Sequence, residues 1–271
     1  VLGDVLRLLA CPVCRGPLSP LPTAVRCERG HSFDVARQGY VNFLTGSPGT
    51  ADTPAMVAAR DDFLGAGHFR PIAEQIAAHC AGAEVIGDAG AGTGHYLAAA
   101  LGPQAVGLAM DISKHAIRRA ARAHPRIGAV VADVWRPLPV RDGVLDVLLN
   151  VFAPRNAAEF ARVLRPEGRL LVVTPAPGHL SLLVERLGLL TVDSDKERRL
   201  TAALGGHFAQ VGREEVTFEL SLDRSGVAAV TGMGPSAWHL DQETFTERAA
   251  ALPERVTVGV AVLITSWKRA T

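Results

Sequence analysis

The stretch Val85-Ile86-Gly87-Asp88-Ala89-Gly90-Ala91-Gly92-Thr93-Gly94-His95-Tyr96 constrains this chain of 271 residues more than any other. A short apolar run ends in an acid, and three glycines then alternate with small residues. The pattern predicts a buried strand that turns tightly into the start of a helix. Alternate glycines let the backbone approach a ligand with no Cβ in the way. The helix start adds unsatisfied N–H groups and the positive end of a dipole. A nucleotide-like ligand belongs here. A G-x-G-x-x-G dinucleotide fingerprint is excluded, because its third glycine would fall at His95.

The flanking sequence supplies the rest of a sheet. Apolar runs recur at 84–88, 105–111, 128–133, 144–151 and 169–174, with helical patterns at 96–101, 113–124 and 157–164 between them. That alternation predicts a doubly wound parallel α/β sheet with ligands at the carboxyl ends of its strands. Asp88, Asp111 and Asp133 each close a strand. Asp111 stands where a carboxylate accepts both hydroxyls of a ribose, and Asp133 where a carboxylate or its backbone reads an adenine amino group. The fourth strand runs into Asn150-Val151-Phe152-Ala153-Pro154-Arg155, beside the reactive end of such a ligand. Asn150 and Arg155 offer polar contacts there, Phe152 a stacking face, and Pro154 a stiff loop. His179 follows the fifth strand on the same side.

The first 45 residues carry a different chemistry. Cys11, Cys14, Cys27 and His31 follow the spacing C-x2-C-x12-C-x3-H. Two close pairs of soft or borderline ligands match a tetrahedral structural zinc site, with a short hairpin over 18–25 between the pairs. So small a segment cannot bury enough core to fold alone, and metal binding supplies the missing free energy. Phe33, Tyr40 and Phe43, interleaved with Arg37, Gln38 and Asn42, read equally as an RNA-facing aromatic surface or as the core of this module. Cys80, alone in an apolar helical pattern, reads as core filler.

Residues 46–54 are rich in Gly, Pro and small polar types and read as a mobile linker or a lid. Thr53 is placed to cap a helix that starts at Pro54 and ends near Gly65-Ala66-Gly67. A second helix is expected over 72–79. Phe69 either packs in the core or covers the ligand. Lys114, Arg118, Arg122 and Arg126 fall four apart on one helix face with no acid on it. That stripe can grip phosphates, though a plain solvated face is the simpler reading. Runs at 211–222 and 256–267 predict two long strands paired at the sheet edge. The loop Thr231–His239 between them suggests a stacking wall, or a turn that buries Trp238.

Net charge is +1, so any polyanion contact must come from a local patch. No apolar run approaches a membrane span of about 18 residues. Asp4 and Arg7 interrupt any secretory leader, and a soluble, reducing, cytoplasmic setting is expected.

The D-x-G-x-G-x-G form of Asp88–Gly94 resembles motif I of class I S-adenosylmethionine (SAM) dependent methyltransferases. Nearly the whole chain is similar to the bacterial 23S ribosomal RNA guanine-N1 methyltransferases, a family that includes tylosin-resistance enzymes. The likeness rests on the Cys/His ribbon and the run from Phe33 to Asn42, on Ala66-Gly67-His68-Phe69, and on the loops at 150–155, 174–180 and 233–239. It implies structural zinc on the four ligands and cofactor contacts from Phe69, Gly92, Thr93 and His179. It also implies a homodimer and a target guanine in the hairpin-35 loop. The runs at 34–40, 119–125 and 150–155 look like the subtype that modifies position 748 rather than 745. Tyr is frequent in the family where Phe69 stands, so stacking is kept and a phenol hydrogen bond is not.

The expected organisation is therefore a zinc-binding RNA-recognition module over 1–45, a linker or lid over 46–70, and a class I, Rossmann-like methyltransferase domain over 71–271. Asp88, Gly90, Gly92, Thr93, Gly94, Asp111 and Asp133 are expected around the cofactor, with Asn150 and Arg155 at the acceptor base. A small-molecule methyltransferase gives no reason for the ribbon. A non-enzymatic RNA-binding protein gives none for the intact glycine and acid set.

Overall fold

The computed structural model describes residues 2–46, 49–189, 195–234 and 242–270, with the side chains of Lys196 and Gln242 excepted. The chain opens with α1 (Leu2–Leu6), β1 (Leu18–Pro20), β2 (Ala24–Cys27), β3 (Ser32–Asp34) and β4 (Tyr40–Asn42). Two helices follow, α2 (Pro54–Gly65) and α3 (Arg70–His79). The alternating section is β5 (Val85–Ala89), α4 (His95–Ala100), β6 (Val106–Asp111), α5 (Lys114–Ala123), β7 (Ile127–Val131), β8 (Leu145–Val151), α6 (Ala157–Val163) and β9 (Leu164–Pro175). The chain finishes through α7 (Ser181–Leu187), α8 (Lys196–Leu204), β10 (Phe208–Asp223), α9 (Arg224–Gly232), α10 (Gln242–Ala250) and β11 (Arg255–Arg269).

Strands β1, β2 and β3 form a small antiparallel sheet that includes the hairpin expected over 18–25. The other eight form one sheet in the order β10-β11-β9-β8-β5-β6-β7-β4. Pairing is parallel from β9 to β4, and β11 runs antiparallel between β9 and β10. The order reverses between β5 and β8, and that switch point is where such a sheet opens a crevice. All five residues of β5 are buried, as a central strand covered on both faces requires. On β10 the burial alternates with a period of two, which suits an edge strand with one face on the core. The paired C-terminal strands thus follow their apolar patterns, whereas α9 and α10 between them had no clear periodic signal.

Local chemistry sets the helix starts. Thr53 Oγ1 accepts from the Met56 N–H at 3.2 Å with Pro54 in the first turn, as the sequence predicts. Asp223 accepts from the Gly226 N–H at 2.8 Å to begin α9.

The two faces of the sheet are covered differently. Ile72, Leu97 and Ile117 of α3, α4 and α5 pack on one face with Ile86 and Ala109. Val5 of α1, Phe160 of α6 and Leu204 of α8 share the other with Val85 and Leu108. No helix joins β7 to β8. The N-terminal segment covers that part of the face instead. Val5 is fully buried over Gly128 on β7, where a Cβ would lie 2.0 Å from Val5 Cγ2. Leu9 bridges to Val140, and Arg15 donates to the carbonyls of Leu138 at 2.6 Å and Val140 at 2.9 Å. β4 then extends the main sheet beside β7. Phe43 is buried and meets the half-buried Phe33 edge-on at 5.0 Å, so this pair packs as core of the module, while Tyr40 is also half-buried. Cys80 is buried too, and burial pushes its thiol up to about 12.

Candidate functional site

Two tight turns of the N-terminal segment aim four ligand atoms at one point. A zinc ion with Zn–S of about 2.3 Å and Zn–N of about 2.0 Å sets tetrahedral edges of ~3.8 Å between sulfurs and ~3.5 Å from sulfur to nitrogen. The Sγ atoms of Cys14 and Cys27 are 3.7 Å apart. His31 Nδ1 lies 3.6 Å from Cys11 Sγ and 3.3 Å from Cys27 Sγ. All four ligand atoms fall within 4.8 Å of one another. The set fits a closed tetrahedral ion. No position is left open for substrate or water, so such an ion is structural.

At the switch point a cavity of about 320 Å³ opens over the ends of β5, β6 and β8. Its volume suits a small-molecule ligand. Asp88, Gly90, Gly92, Thr93 and Asp111 line it, and Phe69 reaches it from the segment before α3. Gly90 has φ +84, and a Cβ there would lie 2.4 Å from Ala153 Cβ, so the turn and the β8 loop touch only because the side chain is missing. Asp111 Oδ2 accepts from the Gly92 N–H at 2.9 Å and Oδ1 from the Ser113 N–H at 2.8 Å. Each oxygen keeps a lone pair free for a ribose hydroxyl. Burial raises the Asp111 carboxyl, against the lowering effect of those two bonds. Asp88 is 1% exposed, and its Oδ1 has no hydrogen-bond partner. Burial first, and Asp111 second, push its carboxyl up to about 8. An orphaned buried acid on a cavity wall fits a ligand that brings a positive charge, as SAM does.

Four expected residues stand elsewhere. Gly94 does not line the cavity; it lets α4 pack against α5, where a Cβ would lie 3.0 Å from Ala120 Cα. Asp133 lines a separate hollow of about 150 Å³ with Phe43 and Leu44. Its carboxylate accepts from the Trp135 N–H at 3.0 Å and pairs with Arg136 at 3.5 Å. His179 is outside the cavity lining, with its ring 6.3 Å from Phe152 and 6.1 Å from Phe69. Asn150 is fully buried, and its Nδ2 donates to the carbonyls of Ala89 at 3.0 Å and Pro154 at 2.7 Å. Its donors are spent on the backbone, so Asn150 positions the β8 loop and does not present an edge to a base.

The β8 loop itself faces the cavity through Phe152, Ala153 and Pro154. Phe152 is 41% exposed and held at φ +52, a strained backbone for a bulky residue. Arg155 is half-buried with Nε unpartnered, and no carboxylate pairs with it among the described residues. Burial pulls its guanidinium below the usual range.

Sequence reading missed the residues that close the cavity from above. Asp52 and Arg60 form an ion pair, and Arg60 Nη2 donates to the Met233 carbonyl at 2.7 Å. Ser113 Oγ donates to the Asp52 carbonyl at 2.9 Å. Thr50 and Asp52 line the cavity, so the described part of the connector lies against the site. Of the loop expected at 231–239, Thr231 and Gly232 instead end α9, Met233 reaches the cavity, and Trp238 and His239 lie outside the described residues. His95 and Tyr96 also line it, and burial lowers the His95 imidazole from its usual range.

Fold and cavity together define a class I SAM-dependent methyltransferase with an N-terminal zinc ribbon. A zinc-ribbon family model described as RlmA, N-terminal, matches residues 9–46, and a methyltransferase-domain model matches residues 87–172. A provisionally named 23S rRNA (guanine-N1)-methyltransferase of Micromonospora griseorubida is 50% identical and covers 98% of each chain. The 23S rRNA (guanine(748)-N1)-methyltransferase of Streptomyces fradiae is 49% identical and covers 97% of each chain. A provisionally named methyltransferase structure from Bacillus halodurans superposes with a TM-score of 0.52 at 15% identity, over 73% of this chain and 99% of that one, and shares the fold alone. The chain belongs to the bacterial 23S rRNA (guanine-N1)-methyltransferase family. Its cofactors are SAM and structural zinc. No helix among the described residues is long and apolar enough to cross a membrane.

Proposed function

We propose that the protein methylates N1 of a guanine in the hairpin-35 loop of 23S rRNA, at position 748 rather than 745. The observation that carries this reading is the closed Cys/His cluster on a segment whose last strand extends the cofactor sheet. A small-molecule methyltransferase has no use for such a ribbon. The Streptomyces fradiae relative, named for guanine 748, supports the choice of base. Macrolide (tylosin) resistance is the proposed consequence, in the cytoplasm, with a homodimer as the acting species.

SAM supplies an activated methyl group on a sulfonium. The chain therefore has mainly to align donor and acceptor, which is worth about 7–11 kcal/mol. Asp111 is proposed for the ribose hydroxyls, Asp88 for the cationic end, and Gly90, Gly92 and Thr93 for backbone approach. Phe69 and His179 flank that end. Phe152 offers its exposed face to an unstacked guanine, held by its Watson–Crick edge against the backbone at Ala153 and Pro154. N1 gives up its proton to water as the N–CH3 bond forms and the S–CH3 bond breaks. Arg155, with no countercharge among the described residues, stabilises the negative charge that builds on O6.

The test is incubation with methyl-labelled SAM and a hairpin-35 transcript, followed by mapping of the labelled atom. Label on N1 of guanine 748 is expected, and a transcript with that base changed should stay unlabelled. RNA that is bound but never methylated, or label found only in a metabolite pool, would overturn the reading.

A further inference from the structure

We propose that a groove between α2 and α5 is a track for the RNA phosphate backbone. This rests on the reading of a hairpin RNA as substrate. The groove has a volume of about 660 Å³, and its α5 wall carries His115, Arg118, Arg119 and Arg122. Thr93 of the glycine turn lines both this groove and the cofactor cavity, and Pro54 of the connector lies at its edge. The basic stripe is therefore one wall of a concave path that meets the reaction site, not an isolated convex face.

The charge balance is local. α5 has the sequence KHAIRRAARA, with no acid in it. The acid on the opposite wall, Asp61, is taken up by Arg119 at 2.8 Å. Lys114, Arg118 and Arg122 are exposed, and no ion pair is formed by any of them among the described residues. Residues four apart on a helix rise about 6 Å and share a face. Unpaired cations in a row beside the cofactor cavity complement a polyanion strand, and net charge +1 gives the rest of the molecule no such bias. Arg126, the last member of the sequence stripe, is not part of the track: it donates to the carbonyls of Ala105 at 2.8 Å and Gly102 at 2.7 Å.

The experiment measures binding of a hairpin-35 transcript to the full chain across a range of KCl concentrations. Each phosphate neutralised by a cation accounts for about 0.7–0.9 of the slope of log K against log [KCl]. The double variant Arg118→Gln, Arg122→Gln should therefore flatten that slope by about 1.4–1.8. Affinity for SAM should stay unchanged. The charge-conserving pair Arg118→Lys, Arg122→Lys should keep the wild-type slope, which a purely structural role for these arginines would not predict. A glutamine pair that binds and methylates the transcript with the wild-type slope overturns the track and leaves the proposed function standing. Wild-type protein that fails to bind the transcript at all overturns both.

Discussion

The backbone N–H of Gly92 donates to the Asp111 carboxylate at 2.9 Å, which ties the glycine turn to the end of β6. The same carboxylate is the one proposed for the ribose hydroxyls. Asp111→Asn removes the charge that such bonds depend on, and bonds to charged groups contribute about 1.5–3 kcal/mol. SAM affinity measured by calorimetry should fall roughly 10- to 100-fold. Unchanged affinity would take Asp111 out of the cofactor contact.

Asp88 makes the protein pH-sensitive. Its folded carboxyl sits at about 8, pushed up by burial and then by Asp111, against about 3.9 in an unfolded chain. Between those values the folded state holds a proton that the unfolded state has lost. The stabilisation is complete below pH ~4 and is lost as pH rises toward 8, with a slope near 1.4 kcal/mol per pH unit. Urea melts of the cofactor-free protein from pH 5 to 8 should show that decline, and Asp88→Asn should flatten it. A bound cation draws the proton off, so SAM affinity should rise with pH up to about 8. Equal slopes in both proteins would discard the assignment.

Zinc removal should reach beyond the ribbon, because the ribbon segment covers the β7–β8 face and supplies a strand to the main sheet. Zinc binding contributes about 10–16 kcal/mol in finger peptides. Even a third of that lowers Tm by about 7–20 °C, at about 2–4 °C per kcal/mol. Thermal melts with and without a chelator, alongside metal analysis, check this. A Tm that does not move when zinc is lost would count against it.

Gly128 and Val5 occupy one space. Gly128→Ala puts a methyl group 2.0 Å from Val5 Cγ2 and should cost about 1–3 kcal/mol by overpacking. Adding Val5→Ala should recover part of that loss, a coupling visible in a double-mutant cycle. Strictly additive effects would mean that the two residues do not meet.

Asn150 and Arg155 should separate by assay. Asn150→Ala leaves the Ala89 and Pro154 carbonyls without their donor, so stability falls by about 1–3 kcal/mol. Arg155→Ala should leave the fold and SAM binding intact while turnover drops. Wild-type methylation of the hairpin by the Arg155 variant would remove its catalytic role.

The legible part of this protein is chemistry that closes over a few residues. The zinc ligands come in pairs on tight turns, the Thr53 cap and Pro54 are adjacent, and Asp88–Gly94 is one continuous strand end and turn. Strand positions were legible for a similar reason, since a buried strand must be apolar along its own length. The surroundings of Asn150 and Asp133 were not legible because each residue type suits either a ligand contact or a backbone one. The choice depends on which carbonyl or N–H folds against it, and for Asn150 one of those carbonyls is 61 positions away.

By itself, the sequence determined the donor set for zinc, the glycine turn and its acids, and the alternation that builds a parallel sheet. Each is a property of neighbouring residues, where spacing is nearly geometry. Tertiary structure decided the rest. It laid the N-terminal segment on a sheet face that lacks a crossover helix, and it closed the connector over the cavity through Arg60 and Met233, which are 173 positions apart. It also turned one helix stripe into the wall of a groove. Packing between distant segments leaves no periodic trace in either one, so only the folded chain reveals it.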